Sequence, residues 1–347
     1  MDFTTTEAQI TLGALTREIL ADRKPSDSFD RPLWADLAKA GVLAAALPAE
    51  AGGDGYGLLE QCTILGEIGR SVAPLPYLTS IVAAASAIAR FGSAAQVEGW
   101  AVPAGRGELV LTVAFPDGTV HVGRSGSEWV LDGVCSAVPA APNADLILVP
   151  ADDSVYVVAA TDEGVSVEPQ QIAGGPGAGF LSLDAVALPA QRVLAAPAGW
   201  LHDRVTVGLC ATQLGVLERA LELTADYART RVQFGRAIGT FQAVAQRLAD
   251  AYVDVQGLRL TLWQAACRLA ADLPCPTEVA TAKFWAADAG HRVAHTAVHI
   301  HGGVGIDVEG IVQRYFLAAK YHEFALGGAT EQLLRLGESL VTAELDA

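Results

Sequence analysis

The sequence predicts an α+β protein of several domains: an N-terminal helical domain (residues 1–107), a central small β-barrel or sandwich (108–198) and a C-terminal four-helix bundle (199–347). Three observations lead to this prediction. The chain has 347 residues, which is more than one ordinary compact domain. Hydrophobic residues make up 51% of it, enough to fill several cores and too many for a disordered chain. Their spacing changes from helical to alternating near residue 107, and returns to helical near residue 200.

The N-terminal part follows helical spacing. Leu12, Leu15 and Ile19 recur at intervals of three and four residues, as on one face of an amphipathic helix. Asp27 or Ser28 is positioned to cap the next helix, because a short polar side chain can accept hydrogen bonds from the first free backbone N–H groups. We therefore expect helices throughout residues 1–107.

The central part is rich in valine, and its short apolar runs are separated by turn signals. Strands at intervals of roughly ten residues are typical of a small barrel or sandwich. The runs are Leu109–Val113, Thr119–Val122, Trp129–Leu131, Leu146–Val149 and Ser154–Val158. The turn signals are Pro116–Gly118, Asp132–Gly133 and Gly174–Gly177.

Helical spacing returns after Trp200 in long blocks, about residues 203–230, 240–272, 276–300 and 328–345. Each block is long enough to cross a bundle, and apolar residues continue at helical intervals along it. The C-terminal part is therefore predicted to be a four-helix bundle.

The charge balance argues against nucleic-acid binding. Twenty-three basic residues face 39 acidic ones, for a formal net charge of −16. Such a surface repels a phosphate backbone, so an anionic ligand has to be held by a few local arginines.

Other classes are disfavoured by local sequence. The longest apolar stretches are far shorter than the ~20 residues that cross a bilayer, and the start, Met1–Thr4, does not resemble a secretory signal. The five cysteines are widely spaced and form no CxxC pair, which is typical of a reducing compartment. We expect a cytoplasmic protein without disulfides, structural zinc or a membrane span.

The segment Tyr227–Gln242 holds the most informative polar set. Arg231 offers a planar fork that suits a diphosphate, Phe234 a flat apolar surface, and Gln242 both a donor and an acceptor. The alternative is an ordinary helix C-terminus, in which arginines complement the helix dipole and Gly235 is the cap. Spacing alone leaves both interpretations open.

Three histidines precede a glycine turn further along the chain: His295, His299 and His301, followed by Gly302 and Gly303. Their spacing fits no common set of metal ligands and no HExxH motif is present, so we predict no metal site. The paired glycines instead allow another backbone or a cofactor to approach closely.

These features together resemble the acyl-CoA dehydrogenase family over nearly the whole chain. The amino-terminal helical domain of that family is similar to Trp34, Ala40–Leu43 and the stretch Leu47–Gly55. The β-domain is similar to Leu131–Gly133 and Ala144–Leu146. The family's most specific motif resembles Arg231–Gly235 with Phe241 and Gln242, and a later Gln-Ile-x-Gly-Gly stretch is represented by His299–Gly303.

The resemblance implies FAD bound between subunits. Arg231, Phe234 and Gln242 would reach the adenosine diphosphate part of a neighbouring subunit's FAD, together with His299, Gly302 and Gly303. It also implies an acyl-CoA substrate, an α,β double bond introduced by a carboxylate base and hydride transfer to the flavin, and an electron-transfer flavoprotein as acceptor.

The catalytic base of the family is missing at its usual place. Depending on the alignment, the position falls on Leu326 or Gly327, and neither accepts a proton. Glu323 and Glu331 are displaced by three or four residues, too far for positioned catalysis. Asp203, before Arg204, is a relocated base in one hypothesis and an N-terminal helix residue favoured by the dipole in the other. We assign no catalytic residue.

The expected flavin contacts of the β-domain are also changed, at Leu111–Gly118 and at Gly133–Ala141. A chain with these losses resembles the shortened non-catalytic subunits of heteromeric actinobacterial acyl-CoA dehydrogenases, which form α2β2 assemblies with a complete subunit and degrade steroid-derived acyl groups. The alternatives are an independent homo-oligomeric dehydrogenase with a relocated base, an oxidase of the same fold, and a structural subunit without flavin contact.

Overall fold

The computed structural model describes residues 3–21, 28–115, 120–175 and 177–345. The N-terminal part is helical, as predicted. It comprises α1 (Glu7–Ala21), α2 (Arg31–Lys39), α3 (Leu58–Ser71), a π-helical stretch (Leu78–Ala85) that continues as α4 (Ser86–Phe91), the short α5 (Ala94–Gln96), a second π-helical stretch (Val97–Ala101) and α6 (Val102–Gly105).

Helix α2 starts at a different cap from the one predicted. Asp30 is the N-cap residue, and its side chain accepts a hydrogen bond of 2.9 Å from the Leu33 backbone N–H. Pro32 lies in the first turn, where its missing N–H and fixed φ favour helix entry. Ser28 therefore does not cap this helix, and Asp27 lies outside the described residues.

The central part is a sandwich of two four-stranded sheets. Its strands are β1 (Leu111–Val113), β2 (His121–Ser125), β3 (Glu128–Pro139), β4 (Leu146–Ala151), β5 (Ser154–Ala159), β6 (Val165–Gln170), β7 (Ala178–Leu188) and β8 (Val193–Leu194). One sheet has the order β1-β4-β5-β8 and the other β2-β3-β7-β6. Strands β1 and β4 are parallel, and the other pairs of these sheets are antiparallel in the described residues.

Apolar side chains from both sheets share one core, which includes Leu131, Ile147, Val149, Tyr156 and Leu181. The predicted sandwich is thus confirmed. The longest strands, β3 and β7, pair with two register shifts. The predicted turn at Pro116–Gly118 lies largely outside the described residues.

The C-terminal part confirms the predicted helical bundle and adds a helix to it. It contains α7 (Ala198–Thr230), the hairpin strands β9 (Val232–Gln233) and β10 (Arg236–Ala237), α8 (Gln242–Ala270), α9 (Pro276–His301), α10 (Ile311–Phe324) and α11 (Ala329–Leu345). Helix α10 was not among the predicted blocks. Its buried positions include Ala318, Ala319 and His322, which give a weak hydrophobic signal.

By contacts, the chain divides into two compact units. The bundle unit comprises Met1–Thr6, Leu65–Val72 and Thr206–Ala347, and the mixed unit comprises Glu7–Ile64 and Ala73–Val205. The three-domain boundaries predicted above remain a prediction. Among the described residues, every helix is too short or too polar to cross a lipid bilayer.

Glycines allow close helix packing inside the bundle unit. A Cβ on Gly69 would lie 2.0 Å from the Thr212 carbonyl oxygen, and a Cβ on Gly215 would lie 1.9 Å from the Gly66 carbonyl oxygen. Both distances are far inside van der Waals contact, so α3 and α7 approach backbone to backbone at this place. The contact fixes the middle of α7, whose last turn leads to the hairpin described below.

Candidate functional site

The segment with Arg231 forms a tight hairpin at the end of α7. The helix ends at Thr230, and the two strands pair Gln233 with Arg236 and Val232 with Ala237. Phe234 and Gly235 form the turn with φ of +52° and +79°, as a two-residue hairpin requires. Gly235 therefore belongs to a hairpin turn and is not the helix cap of the alternative interpretation.

Arg231 and Phe234, two side chains of this hairpin segment, are accessible to a ligand. Arg231 is exposed, and within the described residues no hydrogen bond or ion pair engages its guanidinium group. Arg229, two residues earlier, pairs with Asp226 at 2.8 Å. Phe234 is 93% exposed. A guanidinium group without a partner in the described residues suits a phosphate, and an exposed aromatic ring suits a flat group.

Gln242 lies at the other end of the segment that starts at Arg231. This hairpin segment, residues 231–242, is called the bracket below. Gln242 is the first residue of α8, follows the N-cap residue Phe241, and is exposed. The Ile238 backbone N–H donates to the Arg231 carbonyl at 2.8 Å, which closes the bracket at its base. Arg231 and Gln242 are thus held by one short structure of about a dozen residues.

The second predicted segment lies at the end of α9. His299 is exposed. Gly302 caps the helix with φ +63°, and its N–H donates to the Val298 carbonyl. A Cβ added to Gly302 or Gly303 would meet nothing within 4 Å. The backbone at these two glycines is therefore open to close approach from outside the chain.

The other two histidines have structural contacts. His301 stacks on Tyr227 with ring centroids 4.3 Å apart and planes 22° apart. His295 packs edge-on against Phe316 at 5.3 Å. In the part of the chain that the structure describes, no group of histidine, cysteine or acidic side chains is arranged to hold a metal ion.

The Tyr227–His301 stack brings the two segments together. Tyr227 lies on the last turn of α7, one turn before Arg231, and His301 is the last residue of α9. The stack therefore joins the hairpin end of α7 to the glycine turn after α9. No local sequence pattern indicates this pair, because only the fold brings residues 74 positions apart into contact.

Leu326 and Gly327, the two positions that align with the family's usual base, lie in a tight turn. Leu326 has φ +58° and Gly327 has φ +96°. The Gly327 carbonyl accepts a hydrogen bond of 2.8 Å from Lys283 Nζ. A Cβ on Gly327 would lie 2.6 Å from the carboxylate carbon of Glu331. The turn has no room for a side chain at position 327 unless Glu331 moves.

The nearby acids are already engaged. Glu323 contacts Lys320 at 2.6 Å and His291 at 3.2 Å through its two oxygens. Glu331 pairs with Arg335 at 2.7 Å. Each carboxylate is therefore held by its own neighbours.

Asp203 lies in the mixed unit, 3.7 Å from His202 Nδ1. Helix α7 begins at Ala198, so Asp203 lies beyond its first turn. The helix dipole acts most strongly within the first turn. The dipole interpretation of this residue is therefore wrong. The next residue, Arg204, turns inward and donates to the Val82 carbonyl at 2.7 Å and to the Gln61 amide oxygen at 2.6 Å.

Buried polar groups contact the turn at Leu326 and Gly327. Lys283 is fully buried, and its ammonium also donates to the His322 and Glu323 carbonyls at 3.2 and 3.1 Å. Burial lowers the pKa of Lys283. Burial, aided by the Lys283 charge, lowers the pKa of His322 to about 3, so this imidazole is neutral. Three carbonyl acceptors compensate the burial of the lysine.

Two β-domain segments, 111–118 and 133–141, are tied to each other where the structure describes them. The Thr112 hydroxyl of β1 donates to the Pro139 carbonyl of β3 at 2.5 Å. Ala137 and Ala140 have positive φ, +50° and +56°, and the Ala137 N–H donates to the Gln170 side chain at 2.7 Å. These contacts fix an irregular stretch of β3 that sequence alone did not indicate.

Two family models and a curated relative match this chain. Residues 201–340 match the family model for the acyl-CoA dehydrogenase C-terminal domain, and residues 14–108 match the model for the N-terminal domain. The chain is 49% identical to acyl-CoA dehydrogenase FadE27 of Mycobacterium tuberculosis, over 98% of this chain and 99% of FadE27.

Solved structures give the same result. A chain in the crystal structure of the ChsE4–ChsE5 complex of Mycobacterium tuberculosis superposes with a TM-score of 0.93 at 49% identity, covering 98% of this chain and 99% of that one. A chain of the Tcur3481–Tcur3483 steroid ACAD, G363A variant, superposes with a TM-score of 0.92 at 38% identity and the same coverage. The chain therefore belongs to the acyl-CoA dehydrogenase family of FAD-dependent oxidoreductases, as the sequence predicted.

Proposed function

We propose that the protein is a subunit of a heteromeric acyl-CoA dehydrogenase, in which it grips the adenosine diphosphate part of FAD bound by a partner subunit. The residues that would hold it are Arg231, Phe234, Gln242, His299, Gly302 and Gly303. The observation that carries the proposal is the exposed guanidinium of Arg231, which is unpaired within the described residues and lies on a short hairpin segment that also presents Gln242.

These residues fit FAD chemically. A guanidinium group suits a diphosphate, an exposed ring suits adenine or an apolar surface, and bare glycine backbone allows close approach. All six residues face outward from the bundle unit, as expected of groups that serve a cofactor held mainly by another chain. FAD, when bound, supplies the hydride acceptor for the reaction.

We place proton abstraction in the partner subunit. Position 327 carries no side chain, and its turn is closed by Lys283 and Glu331. Glu323 and Glu331 are engaged by neighbouring cations. A complete acyl-CoA dehydrogenase subunit, paired with this chain in an α2β2 assembly, would supply the base.

The reaction proposed for the assembly introduces an α,β double bond into an acyl-CoA thioester. One solved relative is named as a steroid ACAD, which supports a steroid-derived acyl group. Another is the ChsE4–ChsE5 complex, which supports a heteromeric assembly. We further propose an electron-transfer flavoprotein as the electron acceptor and the cytoplasm as the location. The described residues contain no disulfide bond among the five cysteines, in keeping with a reducing compartment.

A spectroscopic comparison tests the proposal. The chain is purified alone, and also after co-expression with a complete acyl-CoA dehydrogenase subunit from its own organism. We expect no flavin absorbance from the chain alone, and flavin with acyl-CoA oxidation from the complex. A yellow protein that oxidises acyl-CoA without a partner would contradict the proposal and favour the independent enzyme.

A further inference from the structure

The bracket between Arg231 and Gln242 needs more than its backbone to hold one shape. Its ladder contains only two residue pairs, and short two-stranded hairpins are marginally stable in water. Eight of the twelve residues from 231 to 242 are also exposed. A further contact is therefore needed to keep its two ends in a fixed relation.

Arg236 provides such a contact. Its guanidinium carbon lies 4.2 Å from the centroid of the Phe241 ring, well within the range of a cation–π interaction. Phe241 is the N-cap residue of α8 and precedes Gln242 directly. Phe234, at the turn, meets the same ring edge-on at 6.2 Å. The Phe241 ring thus joins the turn of the hairpin to the start of α8.

We propose that Arg236 is a positioning residue, which acts through Phe241 to hold Arg231 and Gln242 in the geometry that fits the FAD diphosphate. This inference rests on the proposed function. An ordinary surface arginine pairs with a nearby acid, as Arg229 does with Asp226. Within the described residues, Arg236 has no ion pair and packs on an aromatic ring instead.

The proposal distinguishes an indirect role from direct binding. If Arg236 acts through Phe241, its removal has no effect once the ring is gone. If Arg236 contacts the cofactor itself, its removal weakens binding whether or not the ring is present. A double-mutant cycle separates the two cases.

The experiment measures the FAD dissociation constant of the co-purified complex carrying variants of this chain. Arg236→Gln and Phe241→Leu are each expected to raise the constant about two- to fivefold, the size of an exposed cation–π contact. The double variant should be no weaker than the weaker single variant. Arg236→Lys, which keeps a cation for the ring, should restore most of the affinity.

Arg229→Gln is the matched control, since it removes the same charge seven residues away without touching the bracket. It should leave the dissociation constant unchanged. Unfolding of the isolated chain should change by no more than the same two- to fivefold factor in Arg236→Gln, because loss of the surrounding fold would lower stability much further.

Wild-type affinity in Arg236→Gln, equal losses in Arg236→Gln and Arg229→Gln, or single effects that multiply in the double variant would each overturn the proposal. Arg231→Met keeps this failure apart from failure of the proposed function. If Arg231→Met weakens FAD binding and Arg236→Gln does not, only the positioning role is wrong. If Arg231→Met has no effect, the proposed function itself is wrong.

Discussion

Arginines in the bundle unit differ in what their guanidinium groups contact. Arg70 bonds to Glu222 at 2.8 Å, and Arg292 bonds to Asp254 at 2.6 Å. These carboxylates raise the pKa of both arginines above the usual value, Arg70 despite its partial burial. Arg231 has no such partner within the described residues. In sequence all three are arginines on or after helices, so only the structure separates those that hold the fold from the one available to a ligand.

Replacing Arg231 with methionine tests this availability at the scale of one side chain. The variant keeps most of the side-chain volume and removes the charged fork. A hydrogen bond to a charged group contributes about 1.5–3 kcal/mol, so we expect the FAD dissociation constant of the complex to rise roughly ten- to a hundredfold. The stability of the isolated chain should not change.

Arg229→Met is the control for that measurement, because Arg229 is exposed and already paired with Asp226. Flavin fluorescence during titration reports the dissociation constant. Equal affinity in the Arg231 variant and the wild type would show that the guanidinium does not contact the cofactor.

His322 makes the bundle unit sensitive to acid. Its pKa is about 3 in the folded protein and 6.5 in an ordinary environment, so the unfolded chain takes up a proton that the folded chain refuses. The free energy of unfolding therefore has its full value, as far as His322 is concerned, above pH 6.5, and it decreases as the pH falls toward 3. The free energy of unfolding should decrease with a slope of up to about 1.4 kcal/mol per pH unit from this residue.

Urea unfolding between pH 7 and pH 4.5 measures that slope. We expect a flatter profile in His322→Asn than in the wild type, because asparagine cannot take up the proton. A wild-type slope in the His322 variant would show that another group causes the acid sensitivity.

Most elements could be predicted from the spacing of apolar residues, and the exceptions have physical reasons. The long helices and the first strands have strong periodic patterns. Helix α10 was missed because alanine and histidine occupy several of its buried positions. Strands β6 and β7 were not among the predicted runs, since polar residues and glycine interrupt their alternation.

The candidate site also contains residues that the sequence predicts and contacts that it does not. Arg231, Phe234 and Gln242 could be proposed from one contiguous segment. The contacts of Lys283 with the turn around Gly327, and of Tyr227 with His301, join positions 44 and 74 residues apart. No local pattern reports such contacts, because tertiary packing alone creates them.

The packing of α3 against α7 is a property of the two helices together. Gly215→Ala should destabilise the bundle unit by several kcal/mol, because the new methyl group would lie 1.9 Å from the Gly66 carbonyl oxygen and force the backbones apart. Gly199→Ala, on the same helix, meets nothing within 4 Å and should be neutral or slightly stabilising. Thermal unfolding compares the two, and equal melting temperatures would contradict the packing described here.

The turn at Gly327 has a similar test. Gly327→Ala should be destabilising by about 1–3 kcal/mol, since φ is +96° and the Glu331 carboxylate occupies the space. Gly337→Ala, in α11 with open space around it, should instead be stabilising by up to about 1 kcal/mol. Chemical denaturation gives both values. A Gly327 variant as stable as the wild type would mean that the turn is not locked.

For the whole molecule, the distribution of charge and exposed apolar groups favours association with a protein and a nucleotide. The net charge of −16 disfavours the binding of polyanions. One arginine that is unpaired within the described residues can still bind a small anion such as a diphosphate. Phe234 and Val308, each in the bundle unit, are 93% and 78% exposed. Phe234 is a proposed FAD contact, whereas Val308 is suited to burial against a partner subunit.

The FAD content of the purified complex tests the central claim most directly. If this chain only completes a cofactor site that its partner owns, the complex should contain one FAD for every two chains, measured from flavin absorbance against total protein. One FAD for every chain would mean that this subunit holds a flavin of its own, and would contradict the account.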